Sequence, residues 1–154
     1  MILGRGRVVT FMIPVAPLAW LVAAVLAALA AVHLYWALGG RRGANGAIPE
    51  RDGQPLFRPG PGATLVVAGL LAVASALVLA RAGWGPDVVP PVVSRWGTWG
   101  VAVVLTARAV GDFNYLGFFK RRRGTRFARL DARFYSPLAL GLGIGTALVA
   151  WAGR

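Results

Sequence analysis

The chain has no cysteine and a single histidine, His33, among its 154 residues. No disulfide therefore holds the fold, and no thiolate serves as nucleophile or metal ligand. Zinc and haem lack their usual donors, so neither a metal nor a cofactor is expected. Charge is scarce too: 14% of residues are charged and 57% are hydrophobic. A soluble domain carries about 25% charged residues to build a polar shell. The few charges here are segregated, and lipid is the solvent that such a composition fits. No phosphate-binding loop, dinucleotide fingerprint or nucleophilic-serine elbow occurs.

What the chain does have is four apolar runs. They extend over about Val15–Trp36, Ala63–Ala80, Trp96–Phe119 and Tyr135–Trp151. A spanning helix needs about 20 apolar residues, and each run meets that length. The expected fold is all-α, a single domain forming a transmembrane bundle of four helices. The second run is free of charge, whereas Arg108 and Asp112 interrupt the third. Arg5 and Arg7 precede the first run, and Ala28-Leu29-Ala30 resembles a signal-peptide cleavage site. Signal h-regions are only about 7–15 residues long, so this run reads as a retained first helix, with Pro14 and Pro17 near its start.

The net charge is +12. In a soluble protein that excess points to nucleic acid; in a membrane protein it marks loops kept in the cytoplasm, and no nucleic-acid partner is expected. Arg41, Arg42, Arg51 and Arg58 lie in the first loop, and Lys120, Arg121, Arg122, Arg123, Arg126, Arg129 and Arg133 in the third. The opposite side holds Arg5, Arg7, Arg81, Arg95 and Arg154. This imbalance predicts a multi-pass protein of the cell membrane with loops 37–62 and 120–134 cytoplasmic and both termini outside. Tryptophans at the run ends fit aromatic belts at head-group depth. The Lys120–Arg123 cluster is expected to meet anionic lipid head groups.

The first loop is full of turn formers, among them Asn45-Gly46, Asp52-Gly53 and Pro59-Gly60-Pro61-Gly62. Leu56 and Phe57 sit among them, so the loop reads equally as a linker or as a lid. Gly141 with Gly145, and Ala68 with Ala72 and Ala76, form small-residue stripes. Such stripes suit either the internal seam or the face of a homo-oligomer.

Ionisable groups at membrane depth are costly and are the first place to look for function. Arg108, Asp112 and Tyr115 follow at i, i+4 and i+7, on one face of a continuous helix. His33 and Trp36 share a face of the first helix near the same depth. One reading is structural: Arg108 and Asp112 neutralise each other, and His33 is a hydrogen-bonded core residue. The other is a ligand-binding polar pocket of His33, Trp36, Arg108, Asp112 and Tyr115. There Arg108 would hold an anionic group while Asp112 or His33 exchanges protons.

Three segments together also carry a resemblance: residues 31–40 around His33-Leu34-Tyr35-Trp36, residues 53–59 (Gly53-Gln54-Pro55-Leu56-Phe57-Arg58-Pro59), and Arg108–Tyr115 through Phe118-Phe119-Lys120 to Phe134-Tyr135-Ser136-Pro137. This combination resembles a bacterial family of small four-span membrane proteins known only as a domain of unknown function. The resemblance covers essentially the whole chain and implies the four-helix fold and the cell membrane, but no activity. Three functions stay open: binding of a polyprenyl- or quinone-like lipid, acid/base catalysis on such a lipid by Asp112 and His33, and a small transporter or accessory subunit.

Overall fold

The computed structural model describes residues 15–51, 54–85 and 89–153. Arg5, Arg7, Pro14, the Asp52-Gly53 turn and Arg154 lie outside the described residues. The fold is all-α apart from one minimal hairpin. Helix α1 is Val15–Ala37, the short α2 is Ala44–Ala47, α3 is Pro61–Arg81 and α4 is Pro91–Val110. Between α2 and α3, β1 (Glu50–Arg51) pairs antiparallel with β2 (Gln54–Pro55). At the end of the chain α5 (Arg126–Leu130), a π-helical turn (Asp131–Tyr135) and α6 (Ser136–Ala152) run on as one rod.

Among the described residues, three helices are long and apolar enough to cross a membrane: α1, α3 and the rod Arg126–Ala152. α4 is 20 residues long but less apolar, with Ser94, Arg95, Thr98, Thr106 and Arg108 on it. Its polarity is directional: Ser94 and Thr98 are buried, while Val103 and Val104 are 64% and 67% exposed. α1 and α3 likewise expose large apolar side chains such as Leu21 and Leu70, with Ala19, Ala23 and Ala74 among the residues inside. Such surfaces fit lipid rather than water.

The four long helices pack in the ring α1–α3–α4–α6, with the tightest pairing between α1 and α3 and between α4 and α6. Ala19, Val22, Ala23, Leu26, Ala74, Val78, Leu142 and Val149 form the core. The seam uses small residues, as expected, though not all of the predicted ones. Ala72, Ala76 and Gly141 are exposed. Gly143 instead meets Thr106 of α4, and a Cβ on Gly145 would lie 2.9 Å from Val22 of α1. α6 thus brings two bare backbone faces to two neighbours, which lipid alone does not drive together. Hydroxyls add directed bonds, as where Ser75 donates to the Ala23 carbonyl at 2.9 Å.

Neighbouring helices run antiparallel. Trp20, early in α1, stacks edge-on against Trp84 after α3, with ring centroids 5.6 Å apart. At the same end Arg81 donates from Nε and Nη2 to the Ala150 carbonyl, at 3.1 and 3.0 Å. The last carbonyls of a helix carry partial negative charge, and a cation there satisfies them. At the opposite end the first and third loops meet: Tyr135 donates its hydroxyl to the Gly46 carbonyl at 3.1 Å. Apart from Arg81 and Arg95, every described basic residue belongs to this loop-bearing end.

The third helix differs most from expectation. Pro91 starts it five residues before Trp96, where proline is tolerated because its missing N–H is not needed. It stops at Val110 rather than running on to Phe119, because Gly111 turns with φ 92°.

Candidate functional site

Two clusters occupy the basic end. The first is a groove between the end of α1, the first loop and the start of α3. α1 terminates where Gly39 takes φ 95°, and Gly40 then lies against the Tyr35 ring, which a Cβ there would have to displace. His33 is one turn before that end. Its Nδ1 lies 2.7 Å from the Leu29 carbonyl, and since a carbonyl only accepts, Nδ1 carries the proton and Nε2 is left for a ligand. The Trp36 ring stands edge-on to His33 at 5.1 Å, with Nε1 donating to the Arg42 carbonyl at 2.8 Å. The chain then passes through α2 and the hairpin and returns along Phe57-Arg58-Pro59 to α3. The groove has a volume of about 890 Å³, lined by His33, Trp36, Arg41, Phe57 and Arg58 toward the loops and by Ala63 and Val67 along α3. Phe57 thus closes one side of the groove, and the described part of the first loop forms a folded wall rather than a bare linker.

The second cluster is closed. Asp131 is fully buried. Its Oδ1 accepts from Arg108 Nη2 at 2.7 Å. Its Oδ2 accepts from Lys120 Nζ at 2.9 Å, the Gly117 amide at 2.9 Å and the Ser136 hydroxyl at 3.1 Å. Two cations and two neutral donors therefore satisfy one carboxylate. The π-helical turn makes the last bond available. Five residues of α-helix would rotate Ser136 roughly 140° away from Asp131, whereas the wider turn brings them to one face. Within it the Ser136 amide donates to the Asp131 carbonyl, and the next residue, Pro137, has no N–H to continue an α ladder.

The loop feeding this cluster is held by a second carboxylate. Asp112 Oδ1 accepts the amides of Asn114, Tyr115 and Leu116 at 2.9, 2.7 and 2.9 Å. Burial raises the affinity of this carboxyl for a proton, but the Leu116, Tyr115 and Asn114 amides outweigh it and hold its pKa below the ordinary carboxylate value. Gly111 and Gly117, at φ 92° and 82°, then pack backbone against backbone with no room for a Cβ on either. That contact aims the Gly117 amide at Asp131.

A family model described as Protein of unknown function (DUF3995) matches residues 24–146, from within α1 into α6. The chain belongs to that family. The DUF3995 match includes both clusters and brings no activity with it. No curated protein and no solved structure matches the chain.

Of the five residues the sequence singled out in this DUF3995 chain, His33 and Trp36 meet in the groove. Arg108 lies apart from them, and its partner is Asp131, not Asp112. The expected i, i+4 pair presumes a helix that has already ended. Tyr115 sits in the capped loop, its ring 5.4 Å beneath the Arg122 guanidinium. Lys120, expected at the head groups with its neighbours, is buried on Asp131, while Arg121, Arg122 and Arg123 are exposed. Sequence reading passed over Asp131, Arg41 and Arg58. Asp131 had one usable signal, as the sole acid in the basic stretch 120–133.

Proposed function

We propose that this is a four-span protein of the cell membrane that binds a lipid-like molecule in the groove at His33 and Trp36. The observation that carries the reading is the amphipathic lining. Arg41 and Arg58 sit at one end, and Ala63 and Val67 continue it along α3, whose Val66 and Leu70 are 62% and 64% exposed. A volume of about 890 Å³ also lies within the range of ligand pockets, roughly 300–1,000 Å³. A lipid lying there keeps its head at the arginines and its chain in the bilayer.

The fourth span is α4, where Ser94 and Thr98 are buried and Arg108 bonds to Asp131, while Val103 and Val104 face outward and the exposed Arg95 lies near its first turn. The basic end is cytoplasmic, and the described start of α1 and end of α6 lie outside. Arg121, Arg122 and Arg123 meet anionic head groups there. Arg108, Asp112 and Tyr115 serve the ligand indirectly, by fixing the neighbouring loop.

Native mass spectrometry of the protein released from native-lipid nanodiscs tests the binding. A defined lipid on the wild type, lost in Ala63→Trp, is the expected result; bulk phospholipid alone on both overturns it. Because the chain lacks cysteine, single substitutions report topology cleanly. Gly124→Cys should label only from the cytoplasm and Arg95→Cys only from outside. Labelling of both from one side overturns the four-span arrangement.

A further inference from the structure

We propose that the molecule taken by this groove carries a phosphate-ester head of about two negative charges, clamped between Arg41 and Arg58. The inference rests on the groove reading above and adds the chemistry of the head. Both arginines line the cavity, one from the segment leaving α1 and one from the segment entering α3. Among the described residues no carboxylate lines it, and Glu50 of the hairpin is not part of the wall. The other basic side chains taken into the fold are compensated: Arg108 and Lys120 share Asp131, and Arg81 uses the end of α6. Arg41 and Arg58 have no such partner in the wall, and a guanidinium is shaped for two-pronged bonds to an oxyanion.

Charge matching narrows the head. A fatty-acid carboxylate brings one charge and leaves one arginine uncompensated. A zwitterionic head brings its own cation toward both. A phosphomonoester carries about −1.5 to −2 near neutral pH, which suits two arginines. His33 adds a third contact, because Nε2 accepts from a P–OH or, when protonated, donates to a phosphate oxygen. Ala63 and Val67 beyond the arginines then receive the acyl or prenyl chain.

The test uses the full chain in zwitterionic nanodiscs. It is titrated with bromine-labelled phosphatidic acid, phosphatidylcholine and fatty acid, with inorganic phosphate as competitor. Quenching of Trp36 is taken as the difference between wild type and Trp36→Phe. Phosphatidic acid should quench at roughly tenfold lower concentration than the other two. Arg41→Gln and Arg58→Gln should each weaken it about tenfold, since a hydrogen bond to a charged group is of that size. Both side chains are exposed on loops, so the variants keep the fold, and the Arg41→Lys/Arg58→Lys pair should fall between. Equal quenching by phosphatidylcholine overturns the head assignment while the groove reading stands. Absence of Trp36-dependent quenching by any lipid overturns the groove itself. Inorganic phosphate displacing the lipid at equal concentration assigns the site to a free anion, and an equal loss in Arg121→Gln/Arg122→Gln/Arg123→Gln assigns the preference to general surface attraction. Either result overturns the proposal.

Discussion

The two clusters at the basic end each hold two long cationic side chains and solve opposite problems. Around Asp131, Arg108 and Lys120 are drawn in and bonded until a buried carboxylate has four donors. Around His33, two arginines line an open groove with no acid among the described residues of its wall. A buried ion held on every side is part of the scaffold, since removing one partner strands the others. On the proposed reading, an open groove whose arginines meet no described carboxylate is where a ligand contributes. Basic residues alone therefore do not locate the site; the presence or absence of their carboxylate does.

The contrast breaks most sharply at Asp131. Asp131→Ala leaves Arg108 and Lys120 without their shared acceptor and should lower stability by about 3–5 kcal/mol, read as thermal melting in detergent. A wild-type melt would show that the cluster is not scaffold. Gly117→Ala comes next, because φ is 82° and the added Cβ meets the Val110 carbonyl. About 1–3 kcal/mol should be lost in the same assay.

Asp112 gives a smaller, pH-dependent effect. Its folded pKa is depressed, so its stabilisation is full above the unfolded value and fades as pH falls through the folded one. Melting below about pH 4 should decline faster in wild type than in Asp112→Ala, which should cost about 0.5–1 kcal/mol at neutral pH, as loss of a cap does. Parallel curves would remove Asp112 from the loop's support. The smallest effect belongs to the groove. Arg41→Gln with Arg58→Gln should alter melting by no more than about 0.5 kcal/mol, because exposed positions contribute little. A large drop would make the groove scaffold too and erase the distinction.

Much of the bundle was legible. α1, α3 and α6 lie within two residues of their apolar runs, because lipid-facing helices must be apolar on the outside as well as the inside. α4 was misplaced at both ends because its limits are set by Pro91 and Gly111, which lie outside or inside the run rather than at its edges. The site was half legible. His33 and Trp36 share one helix face, and local spacing places them together. Arg108 pairs 23 residues away with Asp131, a contact made by tertiary packing and a π-helical turn that periodicity does not register. Arg41 and Arg58 were hidden differently, read as topology signals among many arginines.

The Arg108–Asp131 bond also bears on how the chain is made. On the four-span reading, α4 reaches the membrane carrying an arginine whose counter-ion still follows it in the chain. α4 is also the least apolar of the four helices. It should therefore wait at the interface until the next helix arrives and then insert with it as a hairpin, closed by that bond. Chains ending at Gly124 should leave α4 unspanned, whereas chains that include α6 should insert both helices together.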